Sequence, residues 1–235
     1  MDDLIFDLNN VGVYYRKATS VPWKNGKFWA LHDVTFSVYR GQTVGVIGRN
    51  GAGKSTLLKI LAGIILPDIG SITRATATVT MQSLGAGFDP RLTGRQNIFL
   101  NGLLLGMDKE HIRHREEDII ALADIGEFID EPVKNYSSGM KARLGFSIAY
   151  YVDTDVMLID EVLAVGDQAF KEKSAELIKE KIKSDHTVIL ITHSMSTVTE
   201  LCDRVIHIEK GRSLPELPVD KSIERYMGTK LQGCV

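Results

Sequence analysis

The sequence contains little cysteine, little tryptophan and no long apolar run. Cys202 and Cys234 are the two cysteines among 235 residues, and they lack the C-x-x-C spacing of metal sites and redox motifs. The sequence therefore indicates neither a disulfide framework nor a cysteine-based metal site, and we expect the chain to reside in a reducing cytosol.

No stretch of the sequence approaches the roughly 18 apolar residues that a helix needs to span a bilayer. The chain starts Met1-Asp2-Asp3, which is acidic where a signal peptide would be basic. We therefore expect any association with a membrane to depend on a partner protein.

Neither sign of charge dominates the composition. The chain carries 28 Lys and Arg against 30 Asp and Glu, a net charge of -2. Because nucleic-acid binders usually present a basic field, this balance disfavours nucleic acid as a partner. The length of 235 residues suits one large α/β domain or a compact domain with a subdomain, and either can bury a sizeable core.

One glycine-rich stretch, residues 48–56, matches the phosphate-binding pattern G-x-x-x-x-G-K-[ST] at every fixed position. Its glycines let consecutive N–H groups turn toward a phosphate, Lys54 adds a point charge, and the Ser55 hydroxyl can join a Mg²⁺ shell. The candidate nucleotide-binding residues of this loop are Gly48, Asn50, Gly51, Ala52, Gly53, Lys54, Ser55 and Thr56.

The surroundings of this loop support the match. Residues 44–47 are a continuous apolar run that predicts a buried strand, and residues 54–62 carry leucines at helical spacing. A helix that begins at the loop directs its electropositive N-terminus at a bound anion. We therefore prefer a nucleotide site to a chance glycine-rich turn.

The first 40 residues predict β-structure. Apolar residues at positions 6 and 8, and again at 34, 36 and 38, alternate with polar ones, which is typical of half-buried strands. The aperiodic stretch 17–28 between them predicts a loop. Tyr14 and Tyr15 precede this loop, and two interpretations stay open for them: stacking on an adenine ring, or burial at a strand end.

A helical insertion is expected over residues 89–133, after a short strand at 77–81 and Gln82. Ile112, Ile119, Ile120 and Ala123 share one face there, and charged residues occupy the other. His111 and His114 have a spacing that a metal could use, but without a third ligand a hydrated helix face is favoured.

The segment Tyr136-Ser137-Ser138-Gly139-Met140 precedes a predicted helix at 141–151. Hydroxyl groups and backbone donors at a helix N-terminus can bind a second anion, although a serine there is also an ordinary helix cap. The sequence alone leaves both interpretations open.

Polar residues follow two further apolar runs. Asp160 and Glu161 end the run 156–159, and after a phosphate-binding loop such a pair can hold Mg²⁺ and polarise an attacking water. His193 follows the run 188–191, at the end of a core strand where ligands of open α/β sheets gather. A last strand at 205–208 and a short helix around 220–226 complete the chain.

In this order, these motifs resemble the nucleotide-binding subunit of an ABC transporter over nearly the full length. The resemblance implies an α/β fold of the P-loop NTPase type, with a mostly parallel core sheet, an N-terminal antiparallel β-subdomain and an inserted helical subdomain. It also implies one domain over residues 1–235. Residues 1–88 and 152–211 would form the core and β-subdomain, 89–151 the helical subdomain and 212–235 a tail.

The resemblance assigns roles to individual residues of this sequence. Lys54, Ser55, Asp160 and Gln82 look like ligands of the phosphates and Mg²⁺, with Gln82, or its neighbour Ser83, linking the metal to the membrane partner. Glu161 looks like the general base and His193 like the switch histidine at the γ-phosphate. Tyr15 is the candidate for stacking on the adenine of ATP.

The same resemblance implies a homodimer that holds two ATP molecules between its subunits. Ser137, Ser138 and Gly139 would cap the γ-phosphate bound by the other subunit, and Asp167 would lie at the dimer interface. Here Ser138 and Met140 stand where a glycine and a glutamine are common in the family.

The departures from the common pattern are similar to the family branch that exports polysaccharides and polyol phosphates, and most similar to its O-antigen exporters. They are the stretches 85–88, 92–98, 136–140 and 160–167. This resemblance implies a lipid-linked polysaccharide cargo, a permease in two copies and a place on the cytoplasmic face of the bacterial inner membrane. We expect either a natural short form of this branch or a longer chain cut after about residue 230.

Three rival functions stay open from the sequence. The first is an ABC subunit with other cargo, such as teichoic acid, capsule, a drug or an imported solute. The second is an ABC protein acting on DNA or the ribosome, which the single cassette disfavours. The third is a regulatory module without turnover, which the presence of Asp160, Glu161 and His193 disfavours.

Overall fold

The computed structural model describes residues 3–16, 27–75, 77–81, 87–160, 167–184 and 186–232. The chain contacts define two compact units. The first comprises residues 1–81, 155–159 and 185–235, and the second comprises 82–154 and 160–184. The first contains the sheet and the second is helical.

Nine strands of the described residues form one sheet in the order β4-β1-β2-β9-β8-β3-β7-β6-β5. The strands are β1 (Leu4–Arg16), β2 (Lys27–Tyr39), β3 (Thr43–Ile47), β4 (Ile69–Arg74), β5 (Val79–Met81), β6 (Val156–Ile159), β7 (Thr187–Ile191), β8 (Arg204–Glu209) and β9 (Arg212–Ser213). Strands β8, β3, β7, β6 and β5 pair in parallel, whereas β1 pairs antiparallel with β2 and β4. The predicted fold class is confirmed.

Seven α-helices occur in the described part of the chain. They are α1 (Lys54–Leu61), α2 (Gly94–Leu104), α3 (Lys109–Ala123), α4 (Ser138–Tyr150), α5 (Gln168–Ile182), α6 (Met195–Leu201) and α7 (Val219–Gln232). None of these helices is both long and apolar enough to cross a bilayer. Two short 3-10 helices, Gly126–Asp130 and Val133–Asn135, lie between α3 and α4.

The parallel strands β3, β6 and β7 are buried on both faces, which explains why their sequences are continuous apolar runs. All five residues of β3, all four of β6 and all five of β7 are buried. In the antiparallel strand β1, Phe6 and Leu8 are buried while Asn9 is exposed, so the alternation predicted there is present.

The structure shifts one predicted boundary near the first turn. The stretch 17–28 was expected to be a loop, but β2 begins at Lys27, and Lys27 and Phe28 pair with Arg16 and Tyr15. The antiparallel partner extends these two residues into a strand despite their lack of periodicity. Residues 17–26 lie outside the described part of the chain.

The helical insertion expected over 89–133 contains α2, α3 and the 3-10 helix Gly126–Asp130. Gly106, with φ of 93°, lies between α2 and α3, and Asp124, with φ of 48°, ends α3 in a left-handed conformation. On α3 the predicted apolar face is present: Ile112, Ile119 and Ala123 are buried, and Ile120 packs partly buried against the same cluster.

Candidate nucleotide-binding site

The glycine-rich loop joins β3 to α1 in a conformation that requires glycine at two positions. Gly53 has φ of 108°, and a Cβ there would lie 2.5 Å from the carbonyl oxygen of Ala30. A Cβ on Gly48, directly after β3, would lie 2.3 Å from the carbonyl oxygen of Ile208. The backbone of the loop therefore packs directly against β2 and β8.

The solvent side of this loop has room for a ligand. Arg49, Asn50 and Gly51 are exposed, and a Cβ on Gly51 would meet nothing within 4 Å. Helix α1 begins after Gly53 with no side-chain cap and no acidic residue in its first turn. Its electropositive N-terminus thus carries no carboxylate of its own, which suits a phosphate.

Lys54 is the charged group of the loop. It is 9% exposed, and its Nζ donates hydrogen bonds to the carbonyl oxygens of Gly48, at 2.7 Å, and Arg49, at 3.1 Å. A buried ammonium group is held in place here by the same loop that would cradle the phosphates. Ser55 is exposed and Thr56 half-buried in the first turn of α1, and Ala52 is buried.

The other predicted site residues follow strands β7 and β6, which lie next to β3 in the order β3-β7-β6. Strand β7 pairs in parallel with β3, with Val46 opposite Ile191, and Thr192 and His193 follow it. Strand β6 pairs in parallel with β7 and ends at Ile159, directly before Asp160. The carboxyl ends of parallel strands share one edge of a sheet, where ligands of α/β proteins bind.

His193 is half-buried, and its Nδ1 lies 3.3 Å from Oη of Tyr226 on α7. Both residues belong to the first unit. His193 was predicted from the sequence but Tyr226 was not, because no sequence pattern links two residues that are 33 positions apart.

The two tyrosines at the end of β1 have different surroundings. Tyr14 contacts Trp29 edge-on at 5.3 Å between ring centroids, and the ammonium of Lys27 lies 3.9 Å from the Tyr14 centroid. Tyr15 is 41% exposed, so burial at a strand end does not describe it. Of the two, Tyr15 has the more accessible ring for an adenine.

The predicted second anion-binding loop lies in the helical unit. Helix α4 begins at Ser138, three residues before its expected start at 141, and Ser137 is its N-cap. The Ser137 Oγ accepts a hydrogen bond from the Met140 N–H at 3.1 Å. Ser137 and Ser138 are exposed and Gly139 is half-buried, so the cap coexists with accessible polar groups.

Asp167 caps helix α5, accepting a hydrogen bond from the Phe170 N–H at 3.0 Å, and pairs with Arg143 of α4. These contacts, the Phe170 hydrogen bond first and Arg143 second, lower the pKa of Asp167. The pairing of Arg143 with Asp167 was not predicted from the sequence.

Several predicted residues lie outside the described part of the chain. They are Gln82, Ser83, residues 85 and 86, and the stretch 161–166 with Glu161. The roles expected for Gln82 and Glu161 therefore stay predictions from the sequence.

A parallel sheet with a phosphate-binding loop after its central strand and a helix N-terminus facing that loop defines a nucleotide-binding cassette. The family comparison matches residues 31–164 to the family described as ABC transporter. The chain belongs to the ABC transporter family. It is an ATP-hydrolysing cassette of that family, which binds ATP together with Mg²⁺.

Relatives and solved structures agree with this assignment. The O-antigen export system ATP-binding protein RfbB of Klebsiella pneumoniae is 45% identical over 214 residues, which cover 91% of this chain and 87% of that protein. The ABC transporter protein AbcA of Aeromonas salmonicida is 49% identical over 187 residues (80% and 61%). The teichoic acids export ATP-binding protein TagH of Lactococcus lactis is 44% identical over 199 residues (83% and 42%).

The matched stretch thus spans less than two thirds of AbcA and TagH. Among solved structures, the cassette MJ0796 in a dimeric post-hydrolysis state with ADP and Pi superposes with a TM-score of 0.72 at 22% identity. The superposition covers 92% of this chain and 99% of that one. At this identity the likeness supports the fold.

Proposed function

We propose that this chain is the ATP-hydrolysing subunit of an ABC exporter that moves a lipid-linked, O-antigen-like polysaccharide across the bacterial inner membrane. The observation that carries the cargo is the 45% identity to the O-antigen export protein of Klebsiella over 91% of this chain. The stretches 92–98 and 136–140, which depart from the common family pattern, support the same branch.

In the proposed mechanism, Lys54 and the backbone of residues 48–56 bind the phosphates of ATP at the N-terminus of α1. Tyr15 stacks on the adenine. Ser55, Asp160 and Gln82 are the proposed ligands of Mg²⁺, which when bound neutralises charge on the phosphates.

Two residues act on the reacting group. Glu161 polarises the attacking water as general base, and His193 contacts the γ-phosphate from the end of β7. His193 lies two residues after the buried strand β7, which supports it as a fixed point from which to contact a phosphate.

We propose that the working form is a homodimer bound to two copies of a membrane permease at the cytoplasmic face. Ser137, Ser138 and Gly139 of one subunit cap the γ-phosphate held by the other, and Asp167 lies at the interface. The exposure of Ser137, Ser138 and Asp167 supports this role. ATP binding closes the dimer, hydrolysis reopens it, and residues 82–100 pass the motion to the permease.

We also propose that residues 1–235 form a single domain in which residues 89–151 are the helical subdomain.

A second candidate cargo is teichoic acid or a related polyol phosphate. TagH of Lactococcus lactis is 44% identical over 83% of this chain, nearly as similar as the O-antigen export protein. The ATPase chemistry is the same in both cases, so only the permease and cargo differ.

The test is to deplete this protein in its native cells and to measure both surface polysaccharide and lipid-linked polymer inside the cell. We expect polymer to vanish from the surface and accumulate in the cytoplasm. Complementation with the unaltered chain should restore export, and complementation with Glu161→Gln should not.

The chemical composition of the accumulated polymer decides between the two cargoes. Sugar repeats on a lipid carrier support O-antigen export, whereas glycerol or ribitol phosphate supports the second candidate. An unchanged surface glycan without accumulation inside would overturn polysaccharide export and leave the ATPase assignment in place.

A further inference from the structure

The C-terminal helix α7 packs one face against the nucleotide-binding unit. Its inward positions follow helical spacing: Val219, Ser222, Ile223 and Tyr226. Tyr226 is 3% exposed and clusters with Ile47, Val198 and Val205, so its ring is held by β3, α6 and β8. Ser222 is equally buried, and its hydroxyl donates to the carbonyl oxygen of Leu217 at 3.1 Å.

The fixed ring directs the Tyr226 hydroxyl at His193. Oη lies 3.3 Å from Nδ1 of the imidazole. A second histidine, His207, packs edge-on against the other part of the ring, at 5.7 Å between centroids and 80° between planes. Tyr226 therefore lies between a buried histidine of β8 and the histidine that follows β7.

The direction of the Tyr226 hydrogen bond determines what His193 can do. A neutral imidazole carries its proton on one nitrogen, and the partner of the other nitrogen selects which. When the phenolic O–H donates to Nδ1, the proton resides on Nε2. That N–H can donate to a phosphate oxygen, whereas an Nε2 lone pair would repel it.

We propose that Tyr226 is a positioning residue for His193, holding the imidazole in place and in the form that carries its proton on Nε2. The proposal rests on the proposed contact of His193 with the γ-phosphate. It gives helix α7, which the phosphate-binding motifs do not include, a part in ATP hydrolysis that acts through His193.

The first test compares Tyr226→Phe with the unaltered chain in steady-state ATP hydrolysis. Phenylalanine keeps the ring in its cluster and removes only the hydroxyl. We expect kcat to fall roughly tenfold, the lower end of what is lost when the hydrogen-bond partner that orients a metal-bound histidine is removed, while KM for ATP and the melting temperature change little. Tyr150→Phe, which also removes a tyrosine hydroxyl but lies on α4 in the helical unit, is the matched control and should keep full kcat.

The second test reads the imidazole directly. In protein labelled with ¹⁵N-histidine, the His193 signals are identified by their loss in His193→Ala. We expect the Nε2–H form in the unaltered chain and a mixture of both forms in Tyr226→Phe. This measurement requires neither ATP nor turnover. The tautomer of His193 in the unaltered chain can be determined whether or not Tyr226→Phe folds.

The outcomes separate this proposal from the proposed function. A His193→Ala variant with full ATPase activity would overturn the role of His193 in hydrolysis, whatever its tautomer. A dead His193→Ala together with an unchanged Tyr226→Phe would overturn only the role of Tyr226. An Nδ1–H form in the unaltered chain would also contradict it.

Discussion

The ammonium group of Lys54 donates a hydrogen bond of 2.7 Å to the carbonyl oxygen of Gly48, six residues earlier in the same loop. This contact holds the positive charge at the point where β3 ends. It places Lys54 beside the N-terminus of α1 before any phosphate arrives, so little side-chain ordering is left for ATP binding to accomplish.

Replacing Lys54 with alanine should therefore weaken ATP binding. A hydrogen bond to a charged group is worth about 1.5–3 kcal/mol, which corresponds to roughly 10- to 150-fold in affinity. Isothermal titration with ATP and Mg²⁺ measures the change. Lys59→Ala, which removes an exposed lysine from the same helix, is the control and should bind normally. Undiminished binding by Lys54→Ala would refute the role of the loop.

Gly51 and Gly53 of the phosphate-binding loop should differ in how well they tolerate replacement by alanine. Both have positive φ, which costs a residue with a Cβ about 1–2 kcal/mol, but only Gly53 would also bring its Cβ within 2.5 Å of the Ala30 carbonyl oxygen. We expect Gly51→Ala to lose about 1–2 kcal/mol of stability and Gly53→Ala to lose clearly more. Thermal melts with and without ATP measure both, and equal effects would contradict the packing argument.

Glu161→Gln should bind ATP and fail to turn it over. The amide keeps the size of the side chain but cannot accept a proton from water, so the closed, ATP-bound dimer should accumulate. Light scattering with ATP measures the dimer, and phosphate release measures turnover. Glu172→Gln, an exposed change on α5, is the control. Steady-state hydrolysis at the unaltered rate would exclude Glu161 as the base.

Asp167 should show separable effects on the helix and on the dimer. Loss of an N-cap typically costs about 1 kcal/mol, and serine caps nearly as well as aspartate. We therefore expect Asp167→Ala to be less stable than the unaltered chain and Asp167→Ser to regain most of that loss. If Asp167 lies at the dimer interface, neither variant regains full ATPase activity. Recovery of activity together with stability would indicate a capping role alone.

His207 should make the protein less stable in mild acid. Burial lowers its pKa, an effect that Arg225 supports and Glu209 opposes. As the pH falls below the ordinary value of about 6.5, the unfolded chain takes up a proton that the folded chain does not. The free energy of unfolding then falls by at most about 1.4 kcal/mol per pH unit.

Urea titrations at pH 7 and 5.5 measure this loss, which should shrink in His207→Phe. The aromatic ring of phenylalanine preserves a ring contact with Tyr226 while removing the titrating group. An equal loss of stability in both proteins would show that other groups carry the acid sensitivity.

The strands of the core sheet could be predicted because the apolar residues of each strand indicate directly that it is buried. Strands β3, β6 and β7 are apolar at nearly every position since both of their faces are covered, and each was predicted to within one residue. The phosphate-binding loop was likewise visible, because glycine, lysine and hydroxyl groups are fixed there by local geometry.

The contacts made across the chain could not be predicted. Helix α7 was expected to span about 220–226 but runs over Val219–Gln232, so the prediction placed its C-terminal end six residues too early. The approach of Tyr226 to His193, and of Arg143 to Asp167, depends on how separate elements pack. Local pattern contains no information about such pairs.

Strand β3 sets a contrast that amide hydrogen exchange would reveal. Its five residues are buried and lie between β7 and β8, so their amides should exchange only when the whole sheet opens. The exposed loop that follows at residues 49–51 should exchange quickly and slow down with ATP. A single peptide covering strand and loop would thus carry both the slowest amides of the molecule and the ones that respond to nucleotide. The exchange rates of the β3 amides then serve as an internal reference for the change that ATP causes in the loop.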